Sequence, residues 1–185
     1  MTEFTGERTV LVQAPIKAVY EYVSDFPRHT EWNHRPTEMT KVTDGPVAVG
    51  SVFRTKEQAA SNLPWLLRLL WPLLEDLFGG TGYTEAEITA LEPNSRVAWT
   101  GAVPTRKGGF TVKAEWEIRL ESQGEATQVT QWFHLKFLGK MGERMNPETT
   151  ARMTGEEVAR NLTRFKELIE MQTDQGKAAY RPAFA

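Results

Sequence analysis

Only one segment of this chain is built to cover a sheet. Over residues 147–172, Ala151, Gly155, Val158, Leu162, Phe165 and Ile169 recur at helical spacing on one apolar stripe, and Asn146 with Pro147 supplies a cap and a first-turn proline. Most of what precedes it alternates with period two instead. The segments "ERTVLVQ" (7–13), "TEMTKV", "GSVFRTKEQ", "YTEAEITALEP", "SRVAWTGAVP", "GFTVKAEWEIRLES" and "ATQVTQWFHLKFLG" read as about seven strands, divided by turn-forming runs such as "DGPVAVG", "EPNS" and "SQGE". Between the first two strands, Pro15 opens "PIKAVYEYVSD", where Ile16, Val19, Tyr20 and Val23 keep helical spacing, and "FPRHTEWN" follows as a short polar turn or helix. Such a sheet must bury one face, and the C-terminal helix is the long element available to bury it. The expected class is α+β, a single curved antiparallel sheet wrapped around that helix. One domain is expected over 1–173, with the aperiodic residues 174–185 as a flexible tail.

Strand phase then names the interior. From 110 to 120, Phe110, Val112, Ala114, Trp116, Ile118 and Leu120 share one face, and Lys113, Glu115, Glu117 and Arg119 share the other, so the first row points inward. The same rule turns Val129, Gln131, Phe133, Leu135 and Phe137 inward on the last strand, and Thr55 and Glu57 inward alongside Phe53. Pockets for small molecules are mostly apolar, with a few polar groups that fix orientation. Thr55, Glu57 and Gln131 are the polar members of these rows. His134 falls on the outward row with Trp132 and Lys136, as a surface histidine.

Composition removes several classes of function. The 22 Lys and Arg against 24 Asp and Glu leave a net charge of −2, and no basic run with interleaved aromatics is present to track a phosphate backbone, so nucleic acid is not an expected partner. The chain has no cysteine, which excludes disulfides, thiolate metal sites and a cysteine nucleophile. The start "MTEFTGERTV" lacks a positive n-region and an apolar h-region, and a cytoplasmic location is expected. No nucleophile elbow, P-loop or dinucleotide fingerprint occurs.

One stretch breaks the frame: "NLPWLLRLLWPLLEDLFGG", residues 62–80. Its apolar part falls short of the roughly 20 residues a membrane-spanning helix needs, and Arg68, Pro72, Glu75 and Asp76 interrupt it. Two short helices meeting at Pro72 and stopped by Gly79 and Gly80 are expected. The segment is apolar around its full turn and so needs cover. Trp65, Leu66, Leu69, Leu70, Trp71 and Phe78 are expected to form a lid over a cavity, with a homodimer through 62–80 as a companion or rival role. Contact with a bilayer surface is the weakest choice, because the segment has one basic residue and two acidic ones.

The quoted pieces also carry a family likeness. "VLVQAPIKAVYEYVSDFPRHTEWN", "DGPVAVGSVFR", "YTEAEITALEPNSRVAW" and "ATQVTQWFHLKF" resemble, in order and spacing over roughly 5–170, the polyketide cyclase/dehydrase group of the START-like, Bet v 1-like superfamily (SRPBCC). Ala14 and Pro15, Asp25 and Trp32, and Gly50 and Phe53 match its architectural positions, while 62–80 departs from its short connection. The resemblance implies a helix-grip fold whose cavity, between sheet and long helix, holds an apolar small molecule. Asp25, His29 and His34 are similar in order to the carboxylate and paired histidines of non-haem iron oxygenases, but those motifs lie elsewhere in the fold order. No metal and no cofactor are expected.

Two functions follow from the rows and the resemblance together. The first is binding of a lipid, an isoprenoid or a polycyclic polyketide-like compound, with Trp32, Phe53, Thr55, Val112, Ala114, Trp116, Gln131, Phe133, Leu135, Val158, Leu162 and Phe165 as the expected ligand-contacting residues. The second is a cyclase, aromatase or dehydratase in which Glu57 moves protons. The scarcity of inward polar residues favours binding.

Overall fold

The computed structural model describes residues 1–34, 36–57, 83–105, 108–144 and 146–179. Among these, the strands β1 (Thr2–Val12), β2 (Pro36–Lys41), β3 (Val52–Glu57), β4 (Tyr83–Glu92), β5 (Arg96–Pro104), β6 (Phe110–Gln123) and β7 (Ala126–Phe137) form one sheet. Its order is β1-β7-β6-β5-β4-β3-β2, with every neighbouring pair antiparallel. Strands β2 to β7 are therefore a meander, and β1 is carried to the far edge. The helix α1 (Ile16–Ser24), a 3-10 turn (Phe26–Arg28) and α2 (His29–Trp32) bridge the two edges. After β7 come a short helix α3 (Gly139–Arg144) and the long α4 (Pro147–Ala179). No helix among the described residues is long and apolar enough to cross a membrane.

The expected phase holds along β7 and along β6 from Val112 onward, whereas Phe110, expected inward, is 39% exposed at the start of β6, where its pairing with Pro104 follows a register shift. Trp116 pairs with Phe133, Ala114 with Leu135 and Ile118 with Gln131, which keeps both inward rows on one face. Register shifts in β4–β5 and β5–β6 mark irregular pairing of the kind that bends a sheet. β1 starts earlier than the alternation at 7–13 implies, because Thr2 to Gly6 pair with Phe137 to Phe133. That extension buries Phe4, which stacks on Phe137 at 5.8 Å. Gly6 is required there: a Cβ would come within 2.6 Å of the Phe133 ring, which lies over bare backbone.

α4 is anchored at both ends of its apolar stripe. Asn146 caps it as expected, its Oδ1 accepting from the Thr149 N–H at 3.0 Å. Farther along, Lys166 donates to the Leu11 carbonyl at 2.7 Å and Glu170 accepts from the Gln13 N–H at 2.6 Å, fixing the helix to the end of β1. Leu162, Phe165 and Ile169 are buried in the core, with Phe165 edge-on to both Tyr22 of α1 and Trp32 of α2.

"FPRHTEWN" is less polar in place than in sequence. Phe26, His29 and Trp32 all turn inward and are buried, and the charged residues between them form an outer clasp. Arg28 donates twice to Glu31, at 3.0 and 3.2 Å, and Tyr22 Oη donates to the same carboxylate at 2.7 Å. The Arg28 bonds hold Glu31 below the usual carboxylate range, while burial, followed by the bond to Glu31, pushes the Tyr22 phenol up. Arg164 on α4 donates to the Glu31 carbonyl at 2.7 Å, so the clasp also ties α2 to the long helix. Tyr22→Phe is expected to lower stability by about 1 kcal/mol in urea unfolding. A variant indistinguishable from the parent would show that the Tyr22 bond contributes nothing.

Candidate functional site

The concave face of the sheet and the N-terminal half of α4 do not meet everywhere. Between them lies a cavity of about 630 Å³. The sheet supplies Thr55, Thr84, Ala86, Trp99, Gly101, Trp116, Gln131, Leu135 and Phe137, with Pro36 and Met39 from β2; α2 and the chain after it supply His29, Asn33 and His34. α4 contributes Thr150, Met153, Thr154, Glu156, Glu157, Val158, Arg160 and Asn161. The helix thus has two regions along its length, one that closes the core and one that roofs the cavity. Gly101 keeps the floor open, since a Cβ there would have only ordinary contacts, at 3.7 Å to Ala114 and Trp116 and 3.9 Å to Thr84.

Aromatic rings form much of the inner wall. Trp99 and Trp116 stack with centroids 6.3 Å apart and planes at 13°. His29 closes one side, stacked on Phe26 at 4.6 Å and edge-on to Trp99 at 5.3 Å. Its Nε2 lies 2.8 Å from the Val23 carbonyl, which can only accept, so Nε2 carries the proton and Nδ1 holds the lone pair. Burial among these rings pushes the imidazole down to about 4, against the smaller upward pull of the Val23 carbonyl.

A second polar group stands on the α4 side. Asn161, only 5% exposed, accepts from His34 Nδ1 at 2.6 Å and donates to Asn33 at 3.3 Å. The Asn33 bond orients the amide, and the amide in turn sets the His34 tautomer, leaving Nε2 as the acceptor nitrogen. Thr55 Oγ1 donates to the Thr84 carbonyl at 3.2 Å, within the sheet. Among the described residues no cluster of three His, Asp or Glu side chains is placed to hold a metal ion.

A family model described as polyketide cyclase / dehydrase and lipid transport matches residues 3–170. The chain belongs to this family. Three solved structures show the fold that the polyketide cyclase/dehydrase and lipid transport family member shares. The Zhui aromatase/cyclase from Streptomyces sp. R1128 has a TM-score of 0.62 at 14% identity, covering 94% of each chain. A START superfamily protein from Mycobacterium smegmatis has 0.64 at 12%, covering 91% of this chain and 98% of its own. Ara h 8.0201 has 0.58 at 11%, covering 90% and 97%. A curved antiparallel sheet holding a long C-terminal helix is the helix-grip fold of these proteins. No curated protein sequence matches the chain.

Within this family frame, the expected contact residues divide by depth. Thr55, Trp116, Gln131, Leu135 and Val158 line the cavity. Trp32, Phe53, Phe133, Leu162 and Phe165 are packed in the core, and Ala114 is buried with Val112 partly buried against it. Trp116 and Phe133, paired across the two inward rows, therefore meet different surroundings. The Glu57 side chain, and Trp65, Leu66, Leu69, Leu70, Trp71 and Phe78 of the expected lid and dimer segment 62–80, lie outside the described residues.

The cavity is also more polar than strand alternation implied. His29, in the segment expected to be a short polar turn or helix, is 3% exposed, and Thr154 and Asn161 are buried on α4. Alternation reads only the sheet wall, whereas these groups come from the roof and one side. A sequence signal existed for each. Phe26, His29 and Trp32 are spaced three apart, and Thr150, Thr154 and Asn161 run beside the apolar stripe at helical spacing.

Proposed function

We propose that the chain binds an apolar small molecule, such as a lipid, an isoprenoid or a polycyclic polyketide-like compound, between the sheet and α4. The observation that carries this reading is the 630 Å³ cavity with a stacked tryptophan pair on its wall. Small-molecule sites commonly occupy about 300–1,000 Å³, mostly apolar, with a few polar groups. The family description, which joins polyketide chemistry to lipid transport, supports the same class of ligand.

Catalysis of a cyclase, aromatase or dehydratase kind is the second reading, and the His34–Asn161 pair favours it. A histidine whose tautomer is set by a buried amide presents a lone pair at Nε2, the arrangement a general base requires. One structural neighbour is an aromatase/cyclase, which agrees with this reading.

Native mass spectrometry of the purified protein tests the binding reading. The parent is expected to retain an apolar compound, or to take one up from a set of fatty alcohols, isoprenoids and polycyclic phenols. Gly101→Leu, which puts a branched side chain over the cavity floor, is expected to lower that occupancy at least about tenfold while circular dichroism is unchanged. Equal occupancy in parent and variant would move the site elsewhere. A change in the compound's own mass or structure during incubation with the parent would establish the catalytic reading.

A further inference from the structure

Three buried side-chain polar atoms among the described residues have no hydrogen-bond partner: Trp32 Nε1, Arg96 Nε and Gln131 Oε1. Of these residues, Gln131 lines the cavity. An acceptor buried without a donor opposes folding, and most such groups in proteins are satisfied. Gln131 is 2% exposed and sits in the middle of β7 opposite Ile118, so Trp116 is its diagonal neighbour on the same face. The stacked Trp99 and Trp116 rings make a flat surface beside it.

We propose that Gln131 anchors a hydroxyl group carried by a flat, ring-bearing apolar ligand that lies on the Trp99–Trp116 pair. This deepens the binding reading above and rests on it. A hydroxyl both donates and accepts, so it meets the amide whichever way the amide is turned. A ketone or ester carbonyl only accepts and leaves Oε1 unsatisfied. So does a hydrocarbon. An ammonium group needs a carboxylate beside it, and Glu156 and Glu157 of the cavity belong to α4, across from the strand that carries Gln131. Gln131 is therefore a specificity residue, selecting an O–H donor from among ligands of similar shape.

Two probes of matched shape test it: a phenanthrol, and the methylphenanthrene substituted at the same carbon. Each is titrated against the parent, Gln131→Leu and Gln131→Met, read by quenching of tryptophan fluorescence. The parent is expected to prefer the phenanthrol about 5- to 30-fold. Both variants are expected to lose that preference by weakening for the phenanthrol alone, with methylphenanthrene affinity held or tightened. Met supplies the comparison if the Leu variant does not fold. Equal affinity of the parent for the two probes overturns the anchor, and so does a preference that survives in either folded variant, which would leave water as the partner of Gln131. Failure of the parent to bind either probe overturns the flat, ring-bearing ligand and the anchor with it, while the binding reading stands or falls by the native mass spectrometry above.

Discussion

Phe133→Ala is expected to cost about 3–5 kcal/mol of folding stability, and Trp116→Ala about half as much despite the larger ring removed. Phe133 is 1% exposed and touched on several sides: Phe4 stands edge-on at 6.4 Å, Trp116 tilts against it at 5.8 Å, and the bare backbone of Gly6 lies beneath. Removing it leaves a hole bounded by strands that cannot collapse. Trp116 already borders open space, so part of its surface has no packing to lose. The same substitution should weaken binding of an aromatic probe roughly tenfold, since it removes half of the stacked pair. Urea unfolding and fluorescence titration on the two variants separate the roles. Equal stability losses, with probe affinity unaltered in the Trp116 variant, would mean that the cavity does not exist in solution.

A loss of roughly 3 kcal/mol is expected between pH 7 and pH 4 from His29 alone. Its folded value is about 4 against an ordinary 6.5, so between those limits the unfolded chain holds the additional proton. Stability therefore rises with pH across that window, and falls as acid is added. The ring is surrounded by Phe26, Trp32 and Trp99, and its hydrogen-bond partner is a neutral carbonyl, so among the described residues no adjacent anion offsets the cost of charging it. Glu31 acts in the same direction only lower down, since a depressed carboxylate gives up its contribution as pH falls below about 4.5 and through its folded value. The effect of His29 can thus be read above the carboxylate range. His29→Phe keeps a ring in the slot and should flatten the slope between pH 6.5 and 5, while leaving the Val23 carbonyl unpaired at a cost of about 1–3 kcal/mol at neutral pH. Urea midpoints taken at half-unit steps check this. A parent already level across that range, or a variant as steep as the parent, would contradict it.

What could be read from the sequence follows from which interactions are periodic. The rows through Trp116 and Phe133 were legible because a strand with one buried face repeats every two residues, and the repeat does not depend on what lies opposite. The stripe from Ala151 to Ile169 was legible for the same reason at helical spacing. Thr2 to Gly6 were not: that stretch has one large apolar residue, Phe4, and is a strand because β7 pairs with it. The depth of each inward residue was hidden as well. Alternation says that Phe133 and Trp116 face the same way, but where the facing helix stands close and where it stands off is a property of the packed whole. His29 and Asn161 escaped because a polar residue in a polar neighbourhood reads as surface, and only the crossing of α2 and α4 over the sheet encloses them.

The placement of β1 has a consequence in time. Its pairing partner is β7, with Thr2 opposite Phe137, so the first strand to be synthesised has no neighbour until the meander behind it is made. Long-range pairing of this kind slows folding, because the loop must close before any contact rewards it. During synthesis β2 to β6 can form successive hairpins, but the edge that β7 offers to β1 and the roof that α4 provides come last. A growing chain thus exposes the stacked tryptophans and their apolar surroundings to solvent for most of its assembly, and the interior that would receive a ligand is enclosed only at the final step.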